Sequence, residues 1–293
     1  MSYDLKSESV SLRKEVIDTM VKQIGQQSYK LKQVVSVAPT NAWSNTFYRE
    51  NPAVITGPSG GTIKGVAPGA AFPQASIGWE KVSVRIVKHA LEENLIWERL
   101  ISGEINIQAR TIIKVTEGVV NSVDTHIWDD LSEDRLLTGR TQSFAIAAGS
   151  QWDTSGADIL KDLMKASRLI AKANYPTSNI TAVISPYDRE SIMRYFARTG
   201  SQWPQIATDI AKNGYLGKAA GVNFIECNAV TASYALILVP KTCATWKELV
   251  PLQSETTMDP FRSLRIRVVE EGALELTDPL AVVRISNTQS VGA

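Results

Sequence analysis

Residues 51–78 read NPAVITGPSGGTIKGVAPGAAFPQASIG. Six glycines and four prolines fall among these 28 residues, and Lys64 is the only charged side chain. Glycine admits backbone conformations closed to other residues and proline lacks the N–H of a helix interior or inner strand, so no regular element is expected to run through the stretch. A loop of this length inside a compact domain is uncommon and marks a functional excursion or a linker. The flanks decide between the two. FYRE (47–50) ahead of it and WEKVSVRIV (79–87) behind it carry the β-branched and aromatic residues of strands, so 51–78 reads as the far end of a long hairpin. A lone two-stranded hairpin is marginal in water. A neighbouring subunit for it to lie on is the expected remedy.

Upstream, Val10, Leu12, Val16, Ile17, Met20, Val21 and Ile24 recur at helical spacing and predict an amphipathic arm over 9–31, followed by extended chain over 33–50 broken at Pro39. Downstream, Val82, Val84 and Ile86 alternate with Ser83 and Arg85 as a half-buried strand over 82–87, and ALEENLIWERLIS predicts a short helix over 90–101. The clearest helix follows Gly103. Ile105, Ala109, Ile112, Val115, Val119, Val120, Val123 and Ile127 form an apolar stripe over 104–129, and some 25 helical residues span roughly 38 Å. That length suits the spine of an elongated, plate-like subunit.

A polar, then small-residue-rich stretch over 130–150 reads as a connection into a second unit that alternates helix and strand. Ser155 precedes a helix whose buried face carries Ile159, Leu160, Leu163, Met164, Leu169 and Ile170, and ITAVI (180–184) is a short core strand. In SPYDRESIMRYFAR, Ser185 is placed as N-cap, Pro186 at the first helical position and Asp188 where a capping-box acid sits. WPQIATDIAKNG predicts a further helix closed by Gly214, and GVNFIECNAV and YALILVP two more strands. In the tail, Leu264, Ile266 and Val268 alternate with Arg265 and Arg267. A turn is expected near Gly272, then a strand through Leu280, Val282 and Ile285. With no helix between them, these late strands are expected to pair with 82–87. The fold class is therefore α+β, with an α/β unit over 130–248.

The formal net charge is +1, with 31 basic and 30 acidic side chains, which argues against a strong, saturating grip on nucleic acid. Near-neutrality is compatible with a container. Cys227 and Cys243 lie in apolar surroundings and read as small buried hydrophobes. The first residues lack the apolar core of a signal peptide, and no apolar run approaches the ~18 residues of a membrane span, so a cytoplasmic protein with no membrane partner is expected.

No arrangement of residues points to catalysis or to a cofactor or metal. His89 and His126 are the only histidines, no cysteine or carboxylate is read at ligand spacing with either, and a surface or satisfied imidazole is expected of each. GPSGGTIKG lacks the Gly-Lys-Ser/Thr of a phosphate loop, since Gly65 follows Lys64. VISPY lacks the G-x-S-x-G elbow that would make Ser185 a nucleophile, so capping is the expected role. Glu92, Glu93, Glu98, Asp129, Asp130, Glu133 and Asp134 read as solvated faces or inter-subunit contacts. Arg265 and Arg267 are expected to face solvent, another subunit or enclosed DNA. The seven tryptophans lack the basic interleaving of a stacking platform.

The order of elements resembles the major capsid proteins of tailed double-stranded DNA phages, the Hong Kong 97-type fold. ISPYDRESIMRYF resembles that family's strand and Pro-led helix, and DPLAVVRI its closing Asp-Pro strand. LGKAAGVNF resembles its L-x-G-x-P-V region, although Ala220 and Gly221 replace the common proline. The resemblance implies an N-terminal arm over 1–37 and a peripheral domain over 38–129. Within the latter fall an extended loop at 51–78 and a spine helix at 104–129. It further implies an axial domain over 130–248 and a return to the peripheral domain over 249–293.

It also implies self-assembly into hexamers and pentamers of an icosahedral shell that encloses double-stranded DNA without sequence-specific binding, in a virion assembled in the host cytoplasm. A portal is an implied partner, with decoration proteins as further candidates and either a separate scaffolding protein or none. The extended loop would touch the adjacent subunit through Thr56, Ile63, Lys64, Val66 and Phe72. Some relatives cross-link a lysine of this loop to a neighbour's asparagine. No catalytic carboxylate can be placed here, so Lys64 is expected to make a non-covalent contact. The competing readings are an encapsulin-type nanocompartment shell and a cytosolic α/β hydrolase or transferase built on 130–248.

Overall fold

A computed structural model describes residues 14–50, 68–69, 79–96, 107–132, 141–199, 216–259 and 263–290. The four-stranded sheet has the order β1 (Ser36–Pro39), β10 (Thr245–Asp259), β11 (Ser263–Glu275), β4 (Val87–Ile96). Helix α2 (Ile107–Leu131) packs on β4 and β11, and α1 (Lys14–Ser28) packs on α2 and β10. The apolar stripe read from the sequence is the buried stripe: Ile112, Val115, Val119, Val120, Val123 and Ile127 are at most 4% exposed. Leu264, Ile266 and Val268 of β11 and Ile17 and Val21 of α1 meet them in the same core. Each such side chain contributes about 1.5–3 kcal/mol on burial. The spine helix runs two residues beyond its expected end, and residues 104–106 lie outside the described residues.

The helix expected over 90–101 is a strand over its described part. β4 pairs antiparallel with β11 from Ile96↔Ser263 to Val87↔Gly272. Ala, Leu and Glu favour a helix by only tenths of a kcal/mol per residue, which a ten-residue ladder and burial of His89 and Leu95 outweigh. The late strand therefore pairs with 87–96, and of the expected partner 82–87 only Val87 takes part, while 82–85 goes elsewhere. β3 (Trp79–Arg85) pairs antiparallel with β2 (Ser44–Glu50), from Arg85↔Ser44 to Trp79↔Glu50, as the flanks of 51–78 predict.

The expected turn near Gly272 is also absent. β11 continues to Glu275 opposite β10, with register shifts between Glu248 and Gln253. A Cβ on Gly272 would stand 2.4 Å from the Trp246 ring, so the glycine makes room for a buried indole.

The six-stranded sheet has the order β5 (Gln142–Ala145), β12 (Val282–Ser286), β9 (Tyr234–Leu238), β6 (Ile180–Ile184), β8 (Val222–Glu226), β7 (Lys218–Ala219). β6 and β8 are parallel, with α4 (Pro186–Arg198) between them in sequence, and α3 (Ile159–Lys172) packs on β12 and β9. Ser185 caps α4 as expected, whereas α3 is capped by Asp158, which accepts from the Lys161 N–H, and not by Ser155.

Two expectations fail in this sheet. QSFA at 142–145, read as connection, is a strand parallel to β12, and β12 itself lies antiparallel to β9 instead of returning to the first sheet. Val282, Val283 and Ile285 are fully buried there, so the closing strand finds its apolar partners between β5 and β9. Cys227 and Cys243 are free and buried, and burial pushes their thiols up to about 11 and about 12. Among the described residues no helix is long and apolar enough to cross a membrane.

Candidate assembly surface

The β2–β3 hairpin is a two-stranded sheet with no third strand among the described residues. Its alternation gives it two different faces. Asn45, Phe47, Val82 and Val84 are half-buried on one, while Thr46, Tyr48, Lys81 and Ser83 are exposed on the other. Arg49 Nε donates to Glu80 Oε2 at 3.0 Å across the strands near the far end. Trp43 at the base is 65% exposed and Tyr48 is 59% exposed. Thr56, Ile63, Lys64, Val66 and Phe72 lie outside the described residues, as do the residues of the GPSGGTIKG segment.

A buried polar knot fixes the chain that leads from α1 to the hairpin. Asp124 of α2 accepts from the backbone N–H groups of Lys30, Leu31 and Lys32 at 2.9, 3.2 and 3.3 Å. Lys32 Nζ bridges Glu248 and Glu270, each at 2.7 Å, and the Tyr29 hydroxyl donates to Glu270 as well. Glu270 is fully buried, so its charge depends on these two partners. Burial pushes the Asp124 carboxyl up to about 6, against the pull of its three N–H donors. The Tyr29 phenol is raised by burial and by the Glu270 charge.

The two histidines meet behind the sheet. His89 of β4 contacts Ser122 Oγ through Nδ1 at 2.9 Å and His126 Nδ1 through Nε2 at 3.1 Å, and His126 Nε2 lies 3.3 Å from Asp130 Oδ2. The four side chains form one row, Ser122–His89–His126–Asp130, in which each ring nitrogen has a polar neighbour. Trp246 closes the site, edge-on to His126. Burial lowers His89 to about 4, with the neighbouring His126 adding to the shift.

The expectation of satisfied imidazoles holds, but the reading that no carboxylate stands at ligand spacing does not. Asp130 is one helical turn from His126, a signal present in the sequence, and it is buried instead of solvated. Nothing local could have brought in His89. Among the described residues no three metal-ligating side chains converge.

Arg265 and Arg267, expected to face outward, do so, but they share Glu92. Arg265 Nε lies 3.2 Å and Arg267 Nη2 2.6 Å from its carboxylate, and Arg267 also approaches Glu255 at 3.6 Å. Ser185 Oγ, expected as a cap, donates to Asp188 Oδ2 at 2.8 Å and accepts from the Asp188 N–H at 3.1 Å, a closed helix cap.

By sequence the chain matches no family model and no curated protein. By structure it is similar to a virus-like particle from Pyrococcus furiosus, with 12% identity and a TM-score of 0.64 over 93% of this chain and 98% of that one. The capsid of cyanophage P-SCSP1u matches with 12% identity and a TM-score of 0.68 over 88% of each chain. A phage-related protein from Bordetella bronchiseptica RB50 matches with 14% identity and a TM-score of 0.63 over 95% of this chain and 98% of that one. At this identity the likeness is one of fold, and the fold is the α+β Hong Kong 97 type.

Proposed function

We propose that a chain with this fold is the major capsid protein of a tailed double-stranded DNA virus, building an icosahedral shell from its own hexamers and pentamers. The observation that carries the reading is the extent of the likeness, which runs over nearly the whole of this chain and of the particle and capsid chains it matches. A motif borrowed into another context would match locally. The hairpin with exposed Trp43 and Tyr48 supports it, since a two-stranded ribbon with aromatic rings open to solvent gains by lying on another surface.

In this reading 1–37 is the arm, and 38–129 with 249–275 forms the peripheral domain. The axial domain is 130–248 joined by the closing strand. Thr56, Ile63, Lys64, Val66 and Phe72 contact the adjacent subunit without a covalent link. A portal joins the shell, and the enclosed DNA is held without sequence recognition.

Electron microscopy of the expressed full chain tests this. Closed icosahedral shells are expected, and particles from infected cells should hold DNA and a portal. A chain that stays monomeric at micromolar concentration would sink the shell reading, and uniform shells filled with a protein cargo would sink the viral one.

A further inference from the structure

Helix α3 carries its charge on one side. At about 100° per residue, Lys161, Lys165, Arg168 and Lys172 fall within a narrow sector directly opposite the buried Ile159, Leu163, Ala166 and Ile170. Lys161, Arg168 and Lys172 are exposed, and Lys165 is half-buried with Nζ 4.0 Å over the Phe144 ring. The only acid inside the helix, Asp162, turns aside to accept from Trp152 Nε1 at 3.1 Å. Among the described residues none of the four cations has an ion-pair partner. What sets α3 apart is the alignment of its cations on one face; elsewhere on the surface Lys22, Lys88, Lys114 and Arg194 each sit within 3.3 Å of a carboxylate. On a chain with net charge +1, this helix holds four basic side chains against one acid, so the remainder is net acidic.

We propose that the exposed face of α3 is a contact for the sugar-phosphate backbone of double-stranded DNA. Eleven helical steps from Lys161 to Lys172 place the four cations along roughly 16 Å, the reach of about three successive phosphates of one DNA strand at about 7 Å apart. A repeating anion is the partner that a straight, evenly spaced row of cations fits. An acidic protein surface is the other possibility, but protein interfaces centre on apolar side chains, and Met164 is the only large one beside the row. Backbone contacts of this kind carry no sequence information. The inference takes from the proposed function only the source of the DNA.

The test titrates the full chain with a short duplex of mixed sequence over a series of salt concentrations. Lys161→Gln, Lys165→Gln, Arg168→Gln and Lys172→Gln combined should weaken binding at least about tenfold and reduce the salt slope by about 2–3. A control removes the same charge elsewhere: Lys22→Gln, Lys88→Gln, Lys114→Gln and Arg194→Gln combined, expected to stay within about twofold of the parent. Equal losses in both variants would assign the effect to net charge and overturn the proposal. So would an unchanged slope in the α3 variant, or binding of polyglutamate in preference to the duplex. Circular dichroism confirms that each variant folds, and electron microscopy scores shells separately, so failure to assemble and failure to bind DNA are read independently.

Discussion

His89 Nε2 and His126 Nδ1 lie 3.1 Å apart, joining edge strand β4 to the spine helix in the core of the first sheet. Trp246 packs edge-on to His126 there, and burial together with the neighbouring ring disfavours a charge on His89.

The stability of the fold should therefore fall in acid. His89 has a folded value of about 4 against an ordinary 6.5, so as pH drops below 6.5 the unfolded chain takes the proton first. Its contribution is fully present above 6.5 and is lost by pH 4, a change of about 2–3 kcal/mol. Asp124 works the other way, since its carboxyl is raised to about 6 and its burial penalty is relieved as pH falls from 6 toward 3.8. His89→Gln keeps a polar partner for His126 but cannot titrate. Urea denaturation of parent and variant at pH 7.5 and 4.5 isolates the histidine, because Asp124 is common to both. A parent that loses no more stability than the variant refutes the assignment.

Lys32→Met should be severe. It leaves Glu270, fully buried, with Tyr29 as its remaining donor in the knot, and stranding a buried charge costs about 3–5 kcal/mol. The urea midpoint should drop sharply, and Lys32→Met combined with Glu270→Leu should recover much of the loss.

Gly272→Ala should cost about 1–3 kcal/mol by driving a methyl into the Trp246 ring. Trp246→Leu carries its own cavity penalty, yet in that background the alanine should cost less. Thermal melts of the four proteins of this cycle measure the coupling, and strict additivity would mean that the two positions do not press on each other.

Deleting residues 56–70 should leave a soluble, folded subunit that cannot close a shell. The core described above lies outside that segment, so the thermal transition should persist while electron microscopy and sedimentation show no particles. Normal particles would remove the extended loop from the assembly mechanism.

Two kinds of element separate in the comparison of sequence and structure. The hairpin flanks, the spine helix and the Ser185 cap were legible because each rests on neighbours within a few turns or strands: an apolar stripe at helical spacing, a Gly- and Pro-rich stretch between two β-branched runs, a Ser-Pro pair ahead of a helix. β4, β5 and the placement of β12 were not. VKHALEENLI carries helix-forming residues and becomes a strand only because β11, some 175 residues later, offers it a ladder. The Lys32–Glu270 pair and the His89–His126 contact span 238 and 37 residues of chain. Thus the sequence by itself determined the local elements and the two strands that flank 51–78. Tertiary structure alone decided strand partners and the buried charges, because burial and hydrogen-bond satisfaction depend on which distant segments arrive, and local propensity is too weak to oppose them.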